Sequence, residues 1–451
     1  MQLDLVALGR PKPDDLQESL AMPFRIQSAF ALASTTLPFH SFSMLPVRNP
    51  KTWLAILLVS RALFLGQAAP ATAGADFAPD RLTAIKTHMG EFVDHQELSG
   101  AVTLVARHGK VADLSVVGMA DLAQKIPLAT DSLFWIASMT KPITGVAIMM
   151  LVDEGRVNIE EPVEKYLPEF KNQWLLREQT PDRRALVKPA RPITVKDLLT
   201  HTAGLGGDVP LPRPHVTLAE LVAAYAHEPL QFEPGSKWSY SNPGINTLGR
   251  IVEVVSGKPY AEFLRVRIFA PLGMKNTTFW PDKAKQKRLA KSYKAEGGHL
   301  EEVSVYFVQG ELSDQARPAL PAGGLFSTAN DMFQFYQLML DRGVRQGRRL
   351  LSEKSVAEMT HTQTGDIKTG FVDGMSWGLG FQVVKTPQGV TRMLSPGTFG
   401  HGGAYATQSW ADPQRDLVLI LMIQRTGLPN GDASPMRETF QRDAINALAI
   451  P

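Results

Sequence analysis

Two β-hairpin signals stand near opposite ends of this chain, with a long helix-rich block between them. Residues 100–106 and 111–117 are apolar, strand-like runs split by Arg107-His108-Gly109-Lys110, a turn with a glycine in it. Near the other end, residues 404–410 and 417–424 are joined by Ala411-Asp412-Pro413-Gln414-Arg415-Asp416. A helical pattern accompanies each pair. Leu82, Ile85, Met89, Phe92 and Val93 fall at helical spacing before the first, and a closing helix spans about residues 435–448 after the second. A lone hairpin is marginal in water and needs further strands or a covering helix. Ends that carry the same ingredients therefore point to one antiparallel sheet built from both, with the helical region inserted between them. The class is α+β.

The interior of the chain fits that division. Helix signals run over residues 138–154, 195–200, 218–226, 244–255 and 260–268, while residues 121–131 form a polar connection. After about residue 290 come short alternating runs broken by glycines, one further helix at 329–340 and a strand-like run at 377–385. The expected organisation is a sheet region made of residues 76–137 and 290–451, with a mainly helical region at 138–289. Together these form one domain. There is no internal repeat and no low-complexity tract.

Composition excludes several functions. Net charge is +3, with no Lys/Arg cluster and no interleaving of aromatic and basic residues, which argues against nucleic acid as a partner. Cysteine is absent, so there is no disulfide frame, thiolate metal site or lipid-modified cysteine. The ten histidines never take metal-ligand spacing, and no cofactor or metal is expected. Residues 1–75 read as a leader. Within it, residues 44–73 have the order of a secretory signal: a basic segment after Met44, an apolar run from Trp53 to Leu65, then small-residue cleavage sites around Ala71 and Ala73. Translation is expected to begin at Met44, or else residues 1–43 form a disordered extension; an amphipathic helix is the competing reading. The apolar run is too short for a stable membrane span. A periplasmic or secreted protein follows.

Chemistry concentrates in three places. In Phe134-Trp135-Ile136-Ala137-Ser138-Met139-Thr140-Lys141-Pro142, an apolar extended stretch meets a helix start, with proline in the first turn where the missing N–H costs little. Ser138 then sits at the helix mouth with Lys141 one turn on, a hydroxyl beside an amine under the positive end of the dipole. Taken alone, the pair is equally a helix cap and a solvated lysine. Further along, Glu233-Pro234-Gly235 leads into Tyr240-Ser241-Asn242 before another helix. There Asn242 is either the helix cap or a residue facing Lys141 and a substrate. Finally, Gly397-Thr398-Phe399-Gly400-His401-Gly402-Gly403-Ala404 feeds a strand, and glycines there let a ligand or another chain approach the backbone.

Taken in order, these motifs resemble the serine β-lactamase and penicillin-binding-protein superfamily. The Tyr-x-Asn form points to the class C-related branch and its family VIII carboxylesterases. Asp197-Leu198-Leu199-Thr200-His201-Thr202-Ala203-Gly204-Leu205 and Gly323-Gly324-Leu325-Phe326-Ser327-Thr328-Ala329-Asn330-Asp331-Met332 resemble the same branch. The match runs from about residue 80 to the C-terminus. It implies a β-lactamase/transpeptidase-like fold and an acyl-enzyme mechanism. By matching motif it assigns Ser138 as nucleophile, Lys141 as base or proton shuttle and Tyr240 as general base and acid. Asn242 would contact substrate and Lys141; His401, Gly402 and Gly403 would line the site; the amides of Ser138 and Ala404 would form the oxyanion hole.

Two look-alike motifs are set aside. Gly374-Met375-Ser376-Trp377-Gly378 matches the α/β-hydrolase elbow but lacks a strand before it and a helix after it. Lys368-Thr369-Gly370 sits in a polar loop well before the terminal hairpin. The third motif carries His401 where enzymes acting on penicillins usually carry a cationic lysine, and histidine is mostly neutral at pH 7. The substrate is therefore expected to be a small ester or amide, with β-lactam hydrolysis weak. A carboxylesterase leads, followed by a D-Ala-D-Ala-type carboxypeptidase or D-aminopeptidase, or a class C-like β-lactamase. A non-catalytic cell-wall peptide binder is the alternative outside enzymes.

Overall fold

The structure, a computed structural model, describes residues 76–206, 215–305 and 308–449. The leader and its signal reading lie outside the described residues. An antiparallel sheet is built from β1 (Gly100–Arg107), β2 (Lys110–Asp121), β3 (Ile126–Pro127), β4 (Met375–Trp377), β5 (Gln382–Val384), β6 (Phe399–Gly402), β7 (Gln408–Asp412) and β8 (Leu417–Met422). Their order is β4-β5-β6-β7-β8-β1-β2-β3. The two ends of the chain meet where β8 pairs with β1, Val102 opposite Met422 and Arg107 opposite Leu417.

Both of these central strands are buried on both faces. The period of two in a strand divides their side chains between two cores. Val102, Leu104, Ala106, Val418, Ile420 and Met422 face the larger one, shared with Ile143 and Val146 of α2 (Thr140–Asp153). Ala101, Val105, Leu419 and Leu421 face the other, against Ile85 and Met89 of α1 (Pro79–Asp94). The β1–β2 turn has positive φ at His108 (+51°) and Gly109 (+72°), the geometry that suits the twist of a two-residue hairpin.

The inserted region carries α3 (Val195–Thr200), α4 (Leu218–His227) and α5 (Asn242–Ser256). Beyond it come α6 (Ala329–Leu340), over the middle of the sheet, and α7 (Pro435–Asn446), packed on α1. Side chains cap these helices as their sequences require. Thr194, Thr217, Ser241, Thr328 and Ser434 each accept a backbone N–H in the first turn.

Three sequence expectations are corrected, and one element went unread: within the mainly helical region, Leu175–Thr180 pairs with Arg183–Val187. Most residues of that hairpin are exposed, so no apolar alternation marks it. The strand-like run at 377–385 is a tight hairpin, because Gly380 turns the chain at φ +86° and Gly378 lets it press against Met359 O. A short helix, Glu353–Thr360, has too few apolar residues to declare itself. Finally, β6 ends at Gly402, so the glycine motif closes a strand; residues 403–407 turn back into β7, and Ala404 lies in that turn.

Candidate active site

Ser138 occupies a single 3₁₀ turn, Ala137–Met139, which runs straight into α2. Ala137 enters that turn at φ +45°, a left-handed conformation that a residue with a Cβ adopts only when its surroundings hold it. They do. Thr140 Oγ1 donates to Ala137 O at 2.7 Å, Ile136 N donates to Leu325 O at 3.0 Å, and Phe134–Trp135 pairs with Phe326–Ser327. The glycine-led stretch from Gly323 thus lies alongside the Ser-x-x-Lys turn as a splint.

Lys141 is 1% exposed. Its Nζ lies 3.0 Å from Ser138 Oγ and donates to Ala322 O at 2.6 Å. Burial drives its pKa well below the ordinary lysine range, because the charged form loses its hydration. The spacing of three read from sequence has become a direct contact between a hydroxyl and an amine that favours its neutral form.

Tyr240 arrives on the loop between α4 and α5. That loop turns at Gly235 (φ +81°), whose N–H donates to Thr202 O at 2.8 Å. His201, the left-handed C-cap of α3 (φ +59°), grips it further on. Ser239 N donates to His201 O at 3.0 Å, and Ser241 N donates to His201 Nδ1 at 3.1 Å. The His201 ring lies 4.6 Å from that of Tyr240, and Lys141 Nζ stands 4.5 Å from the Tyr240 ring centre. The 197–205 stretch therefore holds the tyrosine loop in place. Ser241, not Asn242, caps α5, accepting from Gly244 N at 3.0 Å. Asn242 is exposed in the first turn, and the amine of Lys141 goes to Ser138 and Ala322 instead.

His401 is the next-to-last residue of β6, with its ring 6.1 Å from that of Tyr240 and 1% exposed. Nδ1 donates to Gly402 O at 2.6 Å, which makes Nε2 the acceptor of the neutral ring. Burial, with Lys141 close by, pushes its pKa down to about 3. His201 is lowered in the same way, by burial and then by Lys141 and His401. Gly403 touches the nucleophile turn: a Cβ there would come within 2.8 Å of Ile136 O and 2.1 Å of Thr407 Oγ1. Ala404 follows, exposed. The three motifs are gathered in one place, and Asn242 makes no contact with Lys141 there.

The set-aside motifs lie elsewhere. Ser376 is buried within β4, hydrogen bonded to Thr362 and, at 3.3 Å, to Thr364. Lys368 is exposed and pairs with Asp373 at 3.6 Å. Their neighbours nonetheless matter. Trp377 and Phe371 stand 6.1 and 4.9 Å from Tyr240, ring to ring, and Trp238 stands 5.2 Å from Trp377. This aromatic wall was hidden in the sequence because its members are scattered over three stretches. No helix among the described residues is long and apolar enough to cross a membrane.

The family model described as Beta-lactamase matches residues 85–441. Protein Rv1367c of Mycobacterium tuberculosis is 33% identical over 359 residues, covering 74% of this chain and 88% of its own. Esterase EstB of Burkholderia gladioli is 29% identical over 388 residues, covering 78% of this chain and 92% of its own. Among solved structures, EstCE1, a hydrolase with promiscuous acyltransferase activity, superposes with a TM-score of 0.67 at 24% identity, covering 81% of this chain and 98% of its own.

Proposed function

This chain belongs to the β-lactamase family and is a serine hydrolase, and within that family we propose that it is a carboxylesterase working through an acyl-enzyme on Ser138. The observation that carries the reading is the 3.0 Å approach of a fully buried lysine amine to Ser138 Oγ. A neutral Lys141 can take the Ser138 proton as Oγ attacks the ester carbonyl carbon. The carbonyl π-electrons move to oxygen, and the oxyanion is met by the amides of Ser138 and Ala404. Collapse of the tetrahedral intermediate breaks the bond to the alcohol oxygen, which leaves with a proton relayed through Lys141 and Tyr240. Water then attacks the acyl-enzyme by the same route, giving up its proton to the Tyr240–Lys141 pair and restoring Ser138 as the acid departs.

His401 shapes the substrate. Enzymes of this family that act on penicillins usually place a lysine there to hold the substrate carboxylate. A buried imidazole with a pKa of about 3 carries no charge to do so. The wall of Trp238, Tyr240, Phe371 and Trp377 is apolar, which favours neutral short-chain esters over anionic β-lactams. Asn242, exposed at the start of α5, remains available to a substrate but not to Lys141. Work outside the cytoplasm, after removal of residues 44–73, belongs to the same proposal.

The test is fluorophosphonate labelling followed by peptide mapping, with kcat/KM for p-nitrophenyl butyrate, a chromogenic cephalosporin and a D-Ala-D-Ala peptide. Label on Ser138 and preference for the ester are expected. A cephalosporin or peptide preference would move the assignment to β-lactamase or carboxypeptidase, and absence of label would leave a binding protein.

A further inference from the structure

The tripeptide Pro321-Ala322-Gly323 is fixed at three successive residues, and each tie comes from an element that also builds the site. Thr144 Oγ1, on α2, donates to Pro321 O at 2.9 Å. Asn246 Oδ1, on α5, accepts from Ala322 N at 3.0 Å. Trp135 Nε1 donates to Gly323 O at 2.7 Å. Asn246 is itself anchored, since its Nδ2 donates to Tyr225 Oη of α4 at 3.2 Å, and it is 1% exposed. The middle carbonyl of this clamped segment, Ala322 O, is the one that Lys141 Nζ meets at 2.6 Å.

A buried Asn on the apolar face of a helix is retained at a cost unless both halves of its amide are used. Here both are, and the half that faces Ala322 sets the direction of a carbonyl. A neutral amine has two hydrogens and one lone pair. When one hydrogen is committed to Ala322 O, rotation about the last side-chain bond is stopped, and the lone pair can be held toward Ser138 Oγ. We propose that Asn246 is a positioning residue for the acylation step: by fixing Ala322 it aims the Lys141 lone pair at Ser138. The proposal rests on Ser138 and Lys141 acting as read above, but adds a residue that touches neither substrate nor nucleophile.

The sign of its effect can be worked out. A carbonyl acceptor supports the ammonium form of Lys141 more than the amine. Releasing Ala322 removes that support, so the ammonium becomes still easier to deprotonate, while the amine it leaves loses its aim. Ser138, Tyr240, His201 and His401 are the other groups that face Lys141, and none is touched by a change at Asn246.

The experiment compares wild type with Asn246→Leu and Asn246→Asp. Active sites are counted by fluorophosphonate labelling, and kcat/KM for p-nitrophenyl butyrate is followed along the acid limb of the pH profile. Asn246→Leu is expected to acylate about 30-fold more slowly per labelled site, with KM little changed and the acid limb moved to lower pH. Asn246→Asp keeps an acceptor for Ala322 N, and the Tyr225 hydroxyl can donate to its other oxygen. It should stay within about five-fold of wild type. A wild-type rate in Asn246→Leu overturns the proposal. So does a slow Asn246→Leu with an unmoved acid limb, which would mark a structural staple, or an Asp variant as slow as Leu. Should Asn246→Leu not fold, Thr144→Val releases Pro321 and should shift the limb the same way; an unchanged profile there overturns the proposal too. Failure of wild type to label at Ser138 would instead refute the function proposed for the site.

Discussion

Lys141 Nζ lies 4.5 Å from the centre of the Tyr240 ring and 3.0 Å from Ser138 Oγ, so the amine is enclosed between an aromatic ring and the hydroxyl it would deprotonate. Burial is the cause of its lowered pKa. A group whose folded pKa lies below its unfolded value costs stability wherever the unfolded chain would be protonated, here up to about pH 10.5. Lys141→Met should therefore raise Tm at neutral pH, with the loss of two hydrogen bonds offsetting part of the gain. The gain should shrink as pH climbs toward 10.5, while kcat falls by about 10³-fold or more. Thermal melts across pH, paired with ester assays, check both.

Two serines compete for the role of nucleophile on motif alone. Ser138→Ala should abolish hydrolysis of p-nitrophenyl butyrate, a loss of about 10⁴-fold or more. Ser376→Ala should leave kcat/KM nearly unchanged, because that hydroxyl is spent on Thr362 and Thr364 inside β4. The reverse pattern in the two purified variants would exchange the assignments.

His401 and His201 are both buried with depressed pKa values. On acidification the unfolded chain takes up protons at these residues first, near pH 6.5, and the folded protein resists until about pH 3 for His401. Stability should thus begin to fall below about pH 6.5 and go on falling through the acid range. His401→Gln should flatten part of that decline in urea titrations at successive pH values. An unaltered pH dependence would mean that His401 takes up its proton equally in both states.

Gly403 has no room for a side chain between Ile136 O and Thr407 Oγ1. Gly403→Ala should push the end of β6 away from the nucleophile turn and misplace the Ala404 amide, lowering kcat about 10²-fold. Gly155→Ala is a useful comparison, because a Cβ there meets nothing and the obstacle is instead a positive φ, +69°. It should cost only about 1 kcal/mol of stability and no activity.

Sequence order carried the site's chemistry because its parts are local. Ser138 and Lys141 meet through one turn of backbone, and Tyr240 precedes a helix start that Ser241 marks. The helices Val195–Thr200 and Ala329–Leu340 fall where their periodicity places them. What stayed hidden was non-local or solvent-facing. The hairpin at 175–187 exposes most of its residues, so burial leaves no pattern in it. The exchange of roles between Ser241 and Asn242 at the cap depends on which oxygen reaches Gly244 N. Asn246 reads as one polar residue on an apolar helix face, and its meaning appears only once Ala322 is beside it. An Asn four residues into such a helix, among apolar neighbours, is the signal that would have found it.

The pairing of β8 with β1 has a consequence for how the protein comes to exist. The central seam of the sheet joins residues 102–107 to residues 417–422, so it closes only after more than 300 intervening residues have been made. Until then α2, buried along most of its length in the finished fold, has no sheet to lie against. Contacts this distant in sequence are slow to form. A ribosome-bound chain would accordingly be inert as an enzyme and sticky as a polymer. Catalytic competence would then appear in one late step, when the last strand docks.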